Sequence, residues 1–153
     1  MIENIKFKEA MSLIPTSVAI AWLANEKKQF FGCTISSFIS VSIIQESEQV
    51  AFLLRTNSRT GERIRNSKNF KISILSKDQI EIAKIFSRGL GITELNLATE
   101  EYPLWFEESV CEFSLTMEQE VVLSNSTIFI ANVTSFLSRP NLQPLVYIAR
   151  EYL

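Results

Sequence analysis

Two polar stretches of this 153-residue chain carry the side chains that could do chemistry, and the first is G-C-T-I-S-S-F-I-S-V-S at residues 32–42. It places five hydroxyl groups among Ile, Phe and Val: Thr34, Ser36, Ser37, Ser40 and Ser42. A buried hydroxyl costs free energy unless it is hydrogen-bonded. We therefore expect the hydroxyls and nearby backbone N–H groups to face a polar ligand, while the apolar residues face the core.

The second stretch is the loop R-T-N-S-R-T at residues 55–60, which follows an apolar run at residues 50–54. A helix is predicted over residues 62–67, and Ser58 or Thr60 could cap it. A loop that enters a helix N-terminus offers free N–H groups and a favourable dipole to an anion, and two arginines stand in this loop. The pattern predicts an anion site, with a plain capped loop as the alternative.

The amino-acid composition narrows the chemistry further. Histidine is absent, which excludes His-dependent triads, His-rich metal sites and an imidazole base. The two cysteines, Cys33 and Cys111, are far apart and form no C-x-x-C pair, so no metal site is expected and both are interpreted as small buried hydrophobes. If the protein is an enzyme, we expect a bound cofactor to carry the chemistry.

Charge and hydropathy also exclude classes of partner. The net charge is −2 and there is no basic run, which argues against nucleic acid. The longest apolar run, residues 18–24, is too short to span a bilayer, and the N-terminus lacks a signal-peptide pattern. These features predict a cytoplasmic protein without membrane contact. The length and the 46% hydrophobic content predict one domain over residues 1–153.

The elements that must position the two stretches follow from periodicity. Apolar residues at helical spacing predict a helix over residues 2–14 that ends at Pro15, and the capping box formed by Ser76 and Gln79 predicts a second helix that stops near Gly89. Short apolar runs predict buried strands at residues 17–24, 50–54 and 70–75. A further strand is predicted to open at residue 30 and to carry the stretch at residues 32–42.

The C-terminal half has the cleanest pattern. Alternation over residues 110–119 puts Cys111, Phe113, Leu115 and Met117 on one face of a half-buried strand, with residues 127–136 as its hairpin partner and a last strand at residues 145–148. Residues 90–109 lack periodicity and are a candidate lid or partner-facing segment. Within them, Trp105 and Phe106 are either a buried anchor or a dimer or ligand contact. Six or seven largely antiparallel strands with three short helices predict a mainly β fold, a β-barrel with helices packed around it.

At this level the chain resembles the flavin reductase-like, FMN-binding split-barrel family. Residues 32–42 match the motif G-x-T-x-S-S-F-x-S-V-S at every fixed position. F-K-E-A-M at residues 7–11 and P-T-S-V at residues 15–18 resemble F-x-x-A-M and P-T-G-V, with Ser17 in place of Gly. S-R-T at residues 58–60, with Ile64 and Phe70, resembles S-x-T…I…F, and residues 75–79 resemble L-S-x-x-Q.

The resemblance implies a split β-barrel and an NAD(P)H:flavin oxidoreductase, the reductase component of a two-component monooxygenase. It implies that residues 34–37 contact the flavin, that residues 55–60 hold its phosphate, and that residues 38–42 carry the strand into the core. The implied cofactor is FMN, or alternatively FAD, with NADH or NADPH as electron donor, in a homodimer. The implied flavin-binding residues are Pro15, Thr16, Thr34, Ile35, Ser36, Ser37, Arg55, Asn57, Ser58, Arg59 and Thr60; weaker nicotinamide candidates are Ser126 and Arg150.

Three departures from the family pattern keep alternatives open. Arg55 stands where Asn is common, S-N-S at residues 124–126 replaces G-D-H, and Arg150 is displaced by one position in a Y-x-R-G-x-Y motif that lacks its Gly. The missing histidine favours a rival function, an FMN-binding electron-transfer protein with little NAD(P)H activity. A second rival is a dimeric split barrel that has lost its cofactor.

Overall fold

The computed structural model describes residues 3–26, 30–88 and 106–153. The α-helices of this part are α1 (Asn4–Ser12), α2 (Arg59–Ser67) and α3 (Ile80–Ser87), with a 3-10 turn at Lys77–Gln79 before α3. The strands are β1 (Thr16–Ser17), β2 (Ala19–Ala24), β3 (Phe30–Ile35), β4 (Ile39–Ile44), β5 (Ser47–Arg55), β6 (Asn69–Ile74), β7 (Cys111–Val122), β8 (Ser126–Ser138), β9 (Val146–Ile148) and β10 (Glu151–Tyr152).

Seven strands form the main sheet, and every pairing in it is antiparallel. The order is β3-β2-β6-β7-β8-β5-β4, so β3 and β4 are its two edges although they are consecutive in the chain. Only residues 36–38 join them, and four residue steps span at most about 14 Å. The sheet must therefore curl until its edges approach each other, and a gap remains where a closed barrel would pair them. The predicted split-barrel class is confirmed.

Two apolar clusters hold the sheet in this shape. The inner cluster is built around Phe52, Phe129 and Ile64, and the Phe52 and Phe129 rings stack with centroids 5.3 Å apart. The outer cluster joins α3 to the sheet around Trp22 and Phe106. Their rings stack at 4.8 Å, and Phe106 is fully buried, which confirms the buried-anchor interpretation for that residue. Trp105, Gly89 and the candidate lid up to residue 105 lie outside the described residues.

A small second sheet has the order β1-β9-β10 and connects the two ends of the chain. Its turn between β9 and β10 holds Ala149 and Arg150 at φ values of 50° and 68°, and the Ala149 N–H donates to the Ser12 carbonyl oxygen at the end of α1. Left-handed backbone at a non-glycine residue is strained. The strain falls where the related motif would carry Gly.

The strand predicted from residue 30 through residue 42 is interrupted in the structure. It separates into β3 and β4, because the chain leaves one edge of the sheet and joins the other. The expectation that residues 38–42 enter the core is wrong for most of that stretch, since it lies on the exposed edge strand β4, where Ile39 is 59% and Val41 50% exposed. Only Phe38 packs against the inner cluster.

Two further sequence expectations change in detail. Helix α1 forms and ends before Pro15 as predicted, but no residue on it is buried. On β7 the predicted solvent-facing Glu112 is 9% exposed, because its carboxylate pairs with the Lys71 ammonium at 2.7 Å across the β6–β7 ladder. Alternation identified the faces of β7 but not the partly buried ion pair on one of them.

No helix among the described residues is long and apolar enough to cross a membrane. The same residues contain no group of three or more His, Cys, Asp or Glu side chains arranged to hold a metal ion.

Candidate functional site

An open pocket of about 710 Å³ lies beside the split of the sheet. Strand β3 and residues 36–37 of the linker form one wall, and the end of β5 with the first turns of α2 forms another. The end of α3 contributes Phe86, Ser87 and Arg88. The two stretches singled out in the sequence, residues 32–37 and 55–60, therefore meet at one cavity although about twenty residues separate them.

The backbone of β3 is available to the pocket because β3 is an edge strand. It pairs with β2 on one side and with no strand of the described chain on the other. Gly32 allows this wall to form: a Cβ at this position would lie 2.9 Å from the Ala21 carbonyl oxygen and 3.0 Å from the Phe86 ring. Unpaired strand edges present N–H and C=O groups to a polar ligand.

Two hydroxyls of the 34–37 segment are used inside the protein. The Thr34 hydroxyl donates to the Ala83 carbonyl oxygen at 2.7 Å, and the Ser37 hydroxyl accepts from the Leu53 N–H at 2.9 Å. The first bond ties β3 to α3, and the second links the linker to β5 across the split. The expectation that the hydroxyls as a group face a ligand is therefore corrected; Ser36 is the exposed one.

The loop at residues 55–58 is a hydrogen-bonded turn at the start of α2. The Ser58 N–H donates to the Arg55 carbonyl oxygen at 2.9 Å, and the Thr56 N–H donates to the Asn125 carbonyl oxygen at 3.2 Å. The Ser58 hydroxyl accepts from the Gly61 N–H at 3.2 Å, so Ser58 is the N-cap and Thr60 is not. This turn presents the positive end of the α2 dipole to the pocket.

Among the residues that the structure describes, the charged side chains of the pocket wall all have one sign. Four arginines line it, Arg55, Arg59, Arg63 and Arg88, and no described Asp or Glu does. Sequence reasoning identified the first two and missed the others. The i, i+4 spacing of Arg59 and Arg63 on one helix was a usable signal for Arg63, since residues four apart share a face; Arg88 had no such signal.

Cys33 also lines the pocket, beside Thr60. Burial raises the pKa of the Cys33 thiol above its ordinary value of 9.0, and a hydrogen bond with the Thr60 side chain acts in the opposite direction. The thiol is therefore protonated at neutral pH. Its role here is that of a small apolar group, as the sequence predicted for the cysteines.

Nine of the thirteen sequence-predicted site residues line the pocket: Thr34, Ile35, Ser36, Ser37, Arg55, Asn57, Ser58, Arg59 and Thr60. The other four do not. Thr16, next to Pro15, pairs with Tyr147 in the small sheet, and Arg150 lies in the β9–β10 turn. Ser126 pairs with Arg55 in the β5–β8 ladder, adjacent to the pocket wall but not part of it.

The sequence profile described as "Flavin reductase like domain" matches residues 11–153. The chain belongs to the flavin reductase-like family. The matched range includes every strand and both helices that form the pocket, so family membership and the cavity concern the same part of the molecule.

Relatives of this flavin reductase-like chain span nearly its whole length. It is 26% identical over 157 residues to the NADH-dependent flavin reductase StyB of Pseudomonas fluorescens, covering 99% of this chain and 89% of that protein. The styrene monooxygenase flavin reductase of Pseudomonas putida S12 superposes with a TM-score of 0.78 at 24% identity, covering 96% and 95% of the two chains. The NADH:FAD oxidoreductase SgcE6 of Streptomyces globisporus C-1027 superposes with a TM-score of 0.82 at 17% identity, covering 100% and 95%.

Proposed function

We propose that this protein is an NAD(P)H-dependent flavin reductase that transfers hydride to FMN or FAD. The observation that carries the proposal is the pocket at the split, where the edge of β3 that no described strand pairs faces the arginine-lined start of α2. Family membership and the NADH-dependent relative support the same reaction.

The residues of the pocket fit a flavin nucleotide. Its apolar lining, which includes Ile35, Leu53 and Leu54, suits a planar ring system, while the edge of β3 suits the polar side of that ring. Arg55, Arg59 and the first turn of α2 suit a phosphate, because arginine pairs with phosphate in a two-pronged geometry and a helix N-terminus favours an anion. No carboxylate from the described part of the chain lines the wall to repel it.

The chain's part in the reaction is to bind and orient. When bound, the flavin supplies a hydride acceptor at N5 for the hydride of nicotinamide C4. Backbone N–H groups on the edge of β3 that no described strand pairs would donate to the polar edge of a bound ring and would stabilise negative charge there. The bonds of Thr34 to Ala83 and of Ser37 to Leu53 fix that edge in place, which reduces the entropy lost when two rings are brought together.

We propose that the chain works as a homodimer. Strand β4 exposes Ile39, Val41, Ile43 and Ile44, and β8 exposes Phe136. A ladder of rings runs from Phe38 through Phe113 to Phe136, with centroid distances of 5.4 and 6.2 Å. Exposed apolar surface on this scale marks an association site, and a second copy would cover it.

We propose further that reduced flavin passes to a partner monooxygenase, as the name of the styrene monooxygenase reductase indicates for that relative. The proposed unit is one flavin reductase-like domain over residues 1–153. The cytoplasmic location expected from the sequence stays a prediction.

The rival function is an electron-transfer flavoprotein that uses nicotinamide poorly. The absence of histidine from the chain favours it, since Ser126 stands where the family motif has that side chain. An anaerobic titration of the flavin-loaded protein separates the two. Under the reductase proposal, NADH or NADPH bleaches the flavin absorbance; bleaching by dithionite with neither nucleotide active would establish the rival, and no flavin uptake at all would overturn both.

A further inference from the structure

An arginine and an aromatic ring are stacked on the wall of the pocket. The Cζ atom of Arg63 on α2 lies 3.5 Å from the centroid of the Phe31 ring on β3. Both residues line the pocket, and the Arg63 side chain is exposed. The Arg63 guanidinium therefore lies directly over the Phe31 ring, and the exposure of Arg63 leaves the guanidinium accessible to a ligand.

This pair lies beyond the positions that a first phosphate would occupy. Arg63 follows Arg59 by four residues, which places it about 6 Å further along the axis of α2. Arg88, after α3, lines the same pocket. None of the carboxylates that the structure describes pairs with Arg63 or Arg88. The wall thus carries a second pair of cations next to a stacking surface.

Resting on the proposed function, we infer that Phe31, Arg63 and Arg88 form a subsite for an adenosine phosphate group. A purine ring stacks on a guanidinium that is itself backed by an aromatic ring, because all three groups are flat and the guanidinium is weakly hydrated. Arg88 supplies a cation for the attached phosphate. FMN has neither a purine ring nor a second phosphate, so it could not use these groups.

Two ligands of a flavin reductase carry this group, flavin adenine dinucleotide and the nicotinamide nucleotide. The test therefore uses AMP as the direct probe, measured by calorimetry on the purified full-length chain. Alongside it, the dissociation constants of FAD and FMN and the KM for NADH are measured. The variants are Arg63→Ala and Arg63→Lys, since lysine keeps the charge and loses the flat guanidinium.

The matched control is Arg65→Lys on the same helix. The Arg65 guanidinium pairs with Glu120 at 2.6 Å and does not line the pocket. We expect both Arg63 variants to weaken AMP binding about tenfold while FMN stays within about twofold of wild type, and the control to leave AMP binding unchanged. Thermal melts of all variants check folding.

The FAD, FMN and NADH measurements identify which ligand supplies the adenosine group. A loss of FAD affinity with FMN unchanged assigns it to the flavin, and a raised KM for NADH with an unchanged FAD-to-FMN ratio assigns it to the nicotinamide nucleotide. Loss of FMN affinity equal to that of FAD, or no change in AMP, FAD and NADH, would overturn the subsite. A wild-type chain that binds AMP but no flavin would instead overturn the proposed reductase and keep the subsite.

Discussion

The Thr34 hydroxyl donates a 2.7 Å hydrogen bond to the Ala83 carbonyl oxygen and thereby joins strand β3 to helix α3. Thr34 belongs to the stretch with the strongest motif match, and Ala83 is fully buried in the outer apolar cluster. The hydroxyl that the sequence offers as a ligand contact is thus part of the framework that holds the wall of the pocket.

Replacing Thr34 tests this role. Thr34→Val keeps the branched shape and removes the donor, so we expect the free energy of unfolding to fall by about 1 kcal/mol. Urea denaturation followed by circular dichroism measures it. Ser36→Ala, which removes an exposed hydroxyl two residues away, is the control and should change stability by less than about 0.5 kcal/mol. Equal effects of the two substitutions would show that the Thr34 bond does not stabilise the fold.

Gly32 is the position where the wall tolerates no side chain. In Gly32→Ala the new Cβ meets the backbone oxygen of Ala21, which cannot rotate away, so we expect destabilisation of about 1–3 kcal/mol. Gly61→Ala provides the comparison, because its Cβ would meet side chains and no backbone atom, with the Phe129 ring nearest at 3.2 Å, and alanine favours the helix. Thermal unfolding should rank Gly32→Ala as clearly the less stable variant; the reverse order would contradict the packing argument.

Arg55 tests the phosphate end of the pocket. Arg55→Ala should weaken FMN binding about tenfold, as expected for loss of a charge-assisted bond, and leave riboflavin binding nearly unchanged because riboflavin lacks the phosphate. Quenching of flavin fluorescence measures both affinities. Lys68→Ala removes a charge just beyond the other end of α2 and should affect neither ligand. Equal weakening of FMN and riboflavin would place Arg55 away from the phosphate.

Cys33 should make the free energy of unfolding of the protein depend on pH in the alkaline range. Burial raises the pKa of its thiol, so the folded state keeps a proton that the unfolded chain loses near pH 9.0. The contribution to stability is complete below that pH and declines as the pH rises above it. Cys33→Ala should therefore lose less stability than wild type between about pH 8 and about pH 10. Burial also raises the pKa values of Cys111 and Tyr152, so some decline remains in the variant; parallel curves for the two proteins would exclude Cys33 as a cause.

The exposed side chains of β4 test the proposed dimer. Ile43→Lys places a charge at an 85% exposed apolar position, so it should shift wild-type dimers toward monomers with little change in the stability of the chain itself. Sedimentation velocity over a range of protein concentrations measures the shift. Asn66→Lys, an exposed polar position on α2, is the matched control. A wild-type chain that sediments as a monomer throughout would refute the proposal.

Local sequence signals identified most of the elements. Ser58 caps α2, and the Ser76 N–H donates to the Gln79 side chain at 2.9 Å, as the capping motifs predict. The alternation of residues 110–119 identified β7, and its hairpin with β8 forms where predicted. These features depend on bonds between residues close in the chain, which is why the sequence could predict them.

The tertiary structure alone decided how the stretch at residues 32–42 is used. Alternating apolar and polar residues look the same in an edge strand and a central strand, so the break between β3 and β4 and the exposure of β4 could not be predicted. The same holds for the partners of Thr34 and Ser37, since Ala83 and Leu53 are distant in sequence. The stacking of Arg63 on Phe31 also required the folded chain.

By itself the sequence determined the family and the two stretches that form the pocket, because a motif records residue types at fixed spacing. Only the curling of the sheet in the folded chain decided which of their atoms face the cavity and which hold it together. A hydrogen bond between distant residues depends on the path of the whole chain, and no local pattern encodes that path.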